Sequence, residues 1–385
     1  MTFLIFLIIL GVLVFVHELG HFLVAKRAGV RVDEFGFGYP PRALKIGEKW
    51  GTLFTLNWIP FGGFVKILGE NYEEDSPQKL ASPESPRVAL AGSTRLSSSQ
   101  VSAGKSFTQV SKKWQAAMLV AGITFNILFA WLLFSLGFMI GLPTPVDNNF
   151  GGEVKNPALT ITGLLDSSPA QKAGLKTGDK IKNISLANGK VLQALNPEDV
   201  SNFINNSLGQ VDVEVLRGGK ILDFKLTPET DIENGRKIIG ISMDMVGTLY
   251  LPIHKAIYEG GKTTLKLSYL TIAGIANLIK DAIRGHADIS QVAGPVGIIG
   301  LVGDASKLGF AYLLTFTALI SVNLAIINLI PFPALDGGRI LFVAIEGMTK
   351  KKINPKIAGT LNTIGFVILI ALMLIVTYRD ILRLF

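Results

Sequence analysis

Two histidines and a glutamate stand within five residues of one another at His17-Glu18-Leu19-Gly20-His21, in a stretch otherwise almost free of polar side chains. On a helix, positions four apart share a face, so His17 and His21 direct their rings to one point while Glu18 points to the neighbouring side. Two imidazoles so placed suit a tetrahedral zinc, and the adjacent carboxylate suits a general base toward a water that the metal activates. The sixteen residues before the motif carry no charge, and Phe22-Leu23-Val24-Ala25 and then Lys26-Arg27 follow it. This reads as one membrane-spanning helix of roughly 20 residues. An ionisable group in such a helix costs on the order of 3 kcal/mol in lipid, so three in one turn and a half must face protein and have work there. A pair of hydrogen-bonded core histidines is the plainer alternative, but a lipid-embedded helix offers such a pair few partners.

Zinc needs a third protein ligand, and no cysteine exists to supply one. Asp336 is the strongest candidate: it follows the long apolar run ending Asn328-Leu-Ile-Pro-Phe-Pro-Ala-Leu-Asp336-Gly-Gly, where Pro331 and Pro333 break the helix. Broken backbone at membrane depth survives only where it lines protein or a wet cavity. A helix-capping aspartate at the membrane surface is the alternative. Asn323 and Asn328, upstream on the same element, could hold a substrate backbone or a developing oxyanion, or could simply pack helices.

The elements that must carry these residues follow from hydropathy. With 49% hydrophobic and 17% charged residues and a mean hydropathy of +0.44, the chain has the composition of an integral membrane protein with room for one soluble module. The net charge of +8 sits largely beside apolar spans, where the positive-inside rule accounts for it, and no basic helix or aromatic-basic ladder points to nucleic acid. The N-terminus lacks a basic region ahead of its apolar run, so a cleaved signal peptide is not expected. The expected fold is a polytopic α-helical membrane protein of about four transmembrane helices, with a membrane-associated β-sheet and an inserted α+β domain.

In order, residues 1–25 form transmembrane helix 1, and 26–113 a cytoplasmic, membrane-associated sheet followed by a flexible loop rich in Ser, Pro, Glu and Lys. Within that sheet Phe35-Gly36-Phe37-Gly38 and Phe61-Gly62-Gly63-Phe64 are uncharged glycine-aromatic runs, which either offer an edge to an extended peptide or build an ordinary small sheet. Residues 114–141 form helix 2, with Asn126 inside it as a helix-helix hydrogen-bonding group and Gly122 permitting close packing. Residues 150–248 are soluble, and Ser167–Ile184 resembles the GLxxGDxI signature of PDZ domains, which bind extended segments by strand addition. Residues 252–304 read as an amphipathic surface helix and loop, 308–338 as helix 3 ending at LDGG, and 360–378 as helix 4. If the 252–304 segment stays on the surface, helix 3 runs inward and Asp336 ends at the depth of His21.

HELGH, the FGFG and GGFVK runs, the PDZ-like insert, Ala293-Gly-Pro-Val-Gly297 and Asn328 to Gly338 occur in the order seen in the site-2 protease family of intramembrane zinc metalloproteases, which the chain resembles over nearly its whole length. The resemblance implies zinc held by His17, His21 and Asp336, with Glu18 as the catalytic base. It further implies that Asn328 contacts substrate and that the sheet at Gly36, Phe37 and Gly38 receives the substrate as an added strand. It places the protein in a bacterial cytoplasmic membrane, with the PDZ domain outside and the active site near the cytoplasmic side. Single-span membrane proteins such as anti-sigma factors or signal-peptide remnants are the implied substrates, shortened in some cases by an upstream site-1-type protease; no nucleic acid is involved. One PDZ signature is present where some relatives have two, and AGITFN replaces the AGPxxN of many. A metal transporter and a non-proteolytic PDZ scaffold are the rival readings; the first wants polar groups spread along a path, and the second has no use for Glu18 between two histidines.

Overall fold

The computed structural model describes residues 1–70, 104–147, 150–165, 167–186, 189–192, 195–231, 235–285 and 293–382. The loop expected within 71–103 lies outside the described residues. In chain order the elements are α1 (Thr2–Arg27), β1 (Val32–Lys49), β2 (Thr52–Ile67), α2 (Lys112–Ile140), β3 (Leu142–Pro145), β4 (Val154–Leu164), α3 (Pro169–Ala173), β5 (Lys180–Leu186) and α4 (Pro197–Asn205). There follow β6 (Val211–Arg217), β7 (Lys220–Leu226), β8 (Glu229–Thr230), β9 (Lys237–Ile238), β10 (Ile241–Leu249), α5 (Ile253–Ile283), α6 (Pro295–Leu308), α7 (Phe310–Leu329), α8 (Asp336–Thr349) and α9 (Pro355–Leu382). Contacts divide them into two units: Met1–Leu132 with Lys262–Gly303 and Thr317–Phe385, and Leu133–Gly261 with Asp304–Phe316.

Four helices among the described residues, α1, α2, α7 and α9, are long and apolar enough to cross a membrane. The third is shorter than its apolar run: it stops at Leu329 rather than continuing to residue 338. Pro331 and Pro333 cannot donate to a continuing helical ladder, and the chain makes a tight turn before α8 begins at Asp336.

In the first unit, Phe22, Val32, Phe35, Ile67, Phe107, Met118 and Leu119 form one buried cluster joining α1, the sheet and α2. The sheet has four segments from two long strands. Glu34 to Phe37 pair antiparallel with Gly63 to Lys66 on one side, and on the other with Leu53 to Leu56, where both numbers rise together. Leu44 to Lys49 then flank Thr52 to Leu56. The sheet lies along the apolar part of α1. Phe35 meets Phe22 and Phe15 at ring distances of 5.4 and 5.5 Å, and Phe37 reaches Phe15 and Gly11. Gly11 and Phe22 are separated by roughly 17 Å of helix at 1.5 Å per residue, so the sheet runs deep along a membrane-spanning element. Elsewhere in this unit Asp380 of α9 accepts from the Gly297 N–H at 2.7 Å, which fixes the first turn of α6 inside the Ala293–Gly297 motif. Thr271 of α5 donates to Asn323 Oδ1 of α7 at 2.9 Å, so Asn323 packs helices.

The second unit is built on a six-stranded sheet in the order β3-β10-β4-β5-β6-β7, whose core includes Leu159, Ile161, Ile181, Ile184, Val213 and Val215 with Val200, Phe203 and Ile204 of α4. Asp179, buried in the Gly178-Asp179 signature turn, accepts from the Lys176 N–H at 2.9 Å and pairs with Arg217 of β6 at 2.6 Å. That carboxylate holds the Arg217 guanidinium above its usual pKa range.

Candidate metal centre

The centre is assembled by helix geometry. The four-residue spacing on α1 stacks His17 and His21, whose Nε2 atoms stand 3.1 Å apart. Asp336 comes to them from the start of α8, with Oδ2 2.9 Å from His17 Nε2 and 3.4 Å from His21 Nε2. The turn that delivers it needs small residues, because a Cβ on Gly337 would overlap the Ile330 carbonyl and one on Gly338 the Phe332 carbonyl. Both histidines are buried, and one ligand atom from each of the three residues lies within 4.8 Å of the others. Two imidazoles and one carboxylate form a donor set for a tetrahedral zinc with one position left for water or substrate. Space for the two rings is kept on the facing helix: a Cβ on Gly122 of α2 would overlap His21 Nε2 and lie 2.8 Å from His17 Nε2. These residues therefore fit a zinc ion.

Glu18 faces the sheet. Its Cγ is 3.9 Å from the point where a Gly63 Cβ would be. The Gly63–Val65 segment has β1 on one side, and among the described residues no strand lies on its other side. Gly36 and Phe37 are placed differently from the edge position expected of them: Gly36 pairs with Phe64 and with Thr55, and Phe37 with Gly63 and with Leu56, so both flanks are filled. Their close packing explains the residue types. A Cβ on Gly36 would overlap the Phe64 ring, and Gly38, at φ +81, would meet the Ile59 carbonyl at 2.6 Å. Asn328 occupies the penultimate position of α7, eight residues before Asp336.

Three supporting groups on α2 were not legible as parts of a site. His21 Nδ1 lies 2.7 Å from the Met118 carbonyl oxygen, to which only a ring N–H can donate, so in the neutral ring Nε2, which faces His17 and Asp336, is the unprotonated nitrogen. Gly122 and Asn126 follow at intervals of four, and Asn126 reaches His17 Nδ1. The 4-4 spacing of Met118, Gly122 and Asn126 against the 4 spacing of the histidines was the available signal. Beyond these groups, Arg339 on the first turn of α8 pairs with Glu70 just after β2, and Lys112 of α2 pairs with the buried Glu346 of α8.

The profile of peptidase family M50 matches residues 5–372 of the chain. The chain belongs to peptidase family M50. It is accordingly a zinc metalloprotease of site-2 protease type and, with four apolar helices of sufficient length, a multi-pass membrane protein. It is similar to the Regulator of sigma-W protease RasP of Bacillus subtilis, 31% identical in an alignment covering 100% of this chain and 99% of that protein. It is also similar to candidate zinc metalloproteases of Clostridium acetobutylicum, 31% identical over 96% of this chain and 94% of that protein, and of Clostridium perfringens, 33% identical over 98% and 97%.

Proposed function

We propose that this peptidase hydrolyses single-span membrane proteins within or beside their membrane segments, with His17, His21 and Asp336 as the zinc ligands and Glu18 as general base. The convergence of those three side chains from positions 17, 21 and 336 carries the reading. Zinc bound there would polarise the scissile carbonyl and bring the pKa of a bound water to about 7. Glu18 takes the proton from the attacking water, and as the C–N bond breaks it returns that proton to the leaving nitrogen.

A helical substrate hides its carbonyls in its own hydrogen bonds, and unwinding it in lipid exposes polar backbone groups. An added strand would satisfy them, and the edge at Gly63 to Val65 is favoured over Gly36 to Gly38 because it is open and adjoins Glu18. Asn328 serves as a substrate contact on this reading, and the 150–248 module as an extracytoplasmic PDZ domain, supported by its GLxxGDxI turn and mixed helix-sheet build. The basic residues Lys26-Arg27, Lys112-Lys113 and Lys350 to Lys352 mark the cytoplasmic ends of the spans. The name of the B. subtilis relative supports regulation of a sigma factor as the physiological setting.

Zinc analysis of the purified protein tests the ligand set. Wild type should hold about one zinc per chain, and His17→Ala and Asp336→Ala should each lose most of it. Full zinc retention in Asp336→Ala would remove Asp336 from the set.

A further inference from the structure

Asn126 is fully buried in the middle of an apolar helix, where a primary amide with an unmet acceptor is expensive. Its Nδ2 stands 3.3 Å from His17 Nδ1, while its Oδ1 meets no partner. The two ends of the amide have the same shape, and turning it by half a revolution exchanges them without moving any neighbour. One orientation leaves a buried oxygen unpaired and sets an amide N–H against a ring nitrogen. That pairing would require His17 to carry its proton on Nε2, the atom that faces His21 and Asp336. The other orientation brings Oδ1 to the ring, where it accepts from Nδ1–H, and leaves Nδ2 at the position without a partner; it is the ring tautomer that distinguishes the two.

We infer that Asn126 is a positioning residue for the metal centre: its Oδ1 accepts the Nδ1–H of His17 and holds that ring in the tautomer whose Nε2 lone pair is free for zinc. The inference rests on the reading of His17, His21 and Asp336 as zinc ligands. It makes the two histidines equivalent, because His21 already donates Nδ1–H to the Met118 carbonyl at 2.7 Å. Helix α2 then supplies an acceptor, a gap and an acceptor at Met118, Gly122 and Asn126, four residues apart on one face and opposite His21 and His17 of the antiparallel α1. The acceptor is itself braced, since Ser321 of α7 donates to the Asn126 carbonyl at 2.8 Å. Partners of this kind fix ring orientation and raise ligand basicity, and their loss typically weakens metal binding by about 10–100-fold.

The test is zinc affinity of the full chain in detergent, measured by competition with a chromophoric chelator, together with the visible spectrum of the cobalt-substituted protein. Asn126→Leu, which keeps the shape and removes the acceptor, should bind zinc about 10–100-fold more weakly and alter the cobalt bands. Asn126→Asp, which can accept but not donate, should bind at least as tightly as wild type. Wild-type affinity in Asn126→Leu, or weakened binding in Asn126→Asp, would overturn the inference; if the leucine variant does not fold, the aspartate variant decides alone. His17→Ala separates the two levels. Zinc lost there but kept in Asn126→Leu defeats the positioning role only, whereas zinc kept in His17→Ala defeats the ligand set and this inference with it.

Discussion

A Cβ added to Gly122 would lie 2.8 Å from His17 Nε2 and overlap His21 Nε2, so a glycine stands in α2 where the Nε2 atoms of His17 and His21 need room. Gly122→Ala should therefore leave the helix intact, since alanine is the better helix former, yet lower zinc affinity by about 10–100-fold. Equilibrium dialysis against zinc checks this, and an unchanged affinity would mean that the rings do not meet the metal from this side. At this scale the sequence was most informative where chemistry is local. The i, i+4 histidines with a glutamate between them are legible because three ionisable groups have no reason to share one turn of a membrane helix. Asp336 could be nominated from its place after broken helix. Gly122 and the Met118 carbonyl could not, because a glycine and a main-chain oxygen acquire their meaning only from the helix opposite.

At the scale of elements, four apolar helices were readable from hydropathy because lipid imposes their length. The order of the sheet was not. Glycine-aromatic runs announce close backbone approach without saying which segment approaches, and the pairing of residues 34–37 with 53–56 as well as with 63–66 is a long-range choice that leaves no local trace. It moved the open edge from FGFG to the GGFVK run. Gly38 shows how tightly this sheet is folded, since it combines a φ of +81 with a Cβ position 2.6 Å from the Ile59 carbonyl. Gly38→Ala should destabilise the sheet by roughly 1–3 kcal/mol, the range for a non-glycine residue forced into that region. Faster limited proteolysis between β1 and β2 is the expected readout, and wild-type resistance would show that the strand can shift to admit a methyl group.

For the molecule as a whole, the basic clusters predict that both termini and the 150–248 module lie outside and that the Lys350 to Lys352 loop lies in the cytoplasm. The chain has no cysteine, so single introduced cysteines report sidedness without background. Leu208→Cys, at a residue 98% exposed, should react with a membrane-impermeant maleimide in intact cells, and Lys351→Cys only after permeabilisation; the reverse pattern would invert the topology. Family membership supplies the peptidase activity, and the proposed division of labour within it assigns His17, His21 and Asp336 to hold the metal and Glu18 to move the proton. The most direct measurement is cleavage of a single-span model substrate by purified wild type and Glu18→Gln, with zinc measured in both. The expected result is about one zinc in each protein and a loss of cleavage of at least about 10²-fold in the variant. Substantial cleavage by a zinc-loaded Glu18→Gln protein would contradict the assignment of Glu18 as the base.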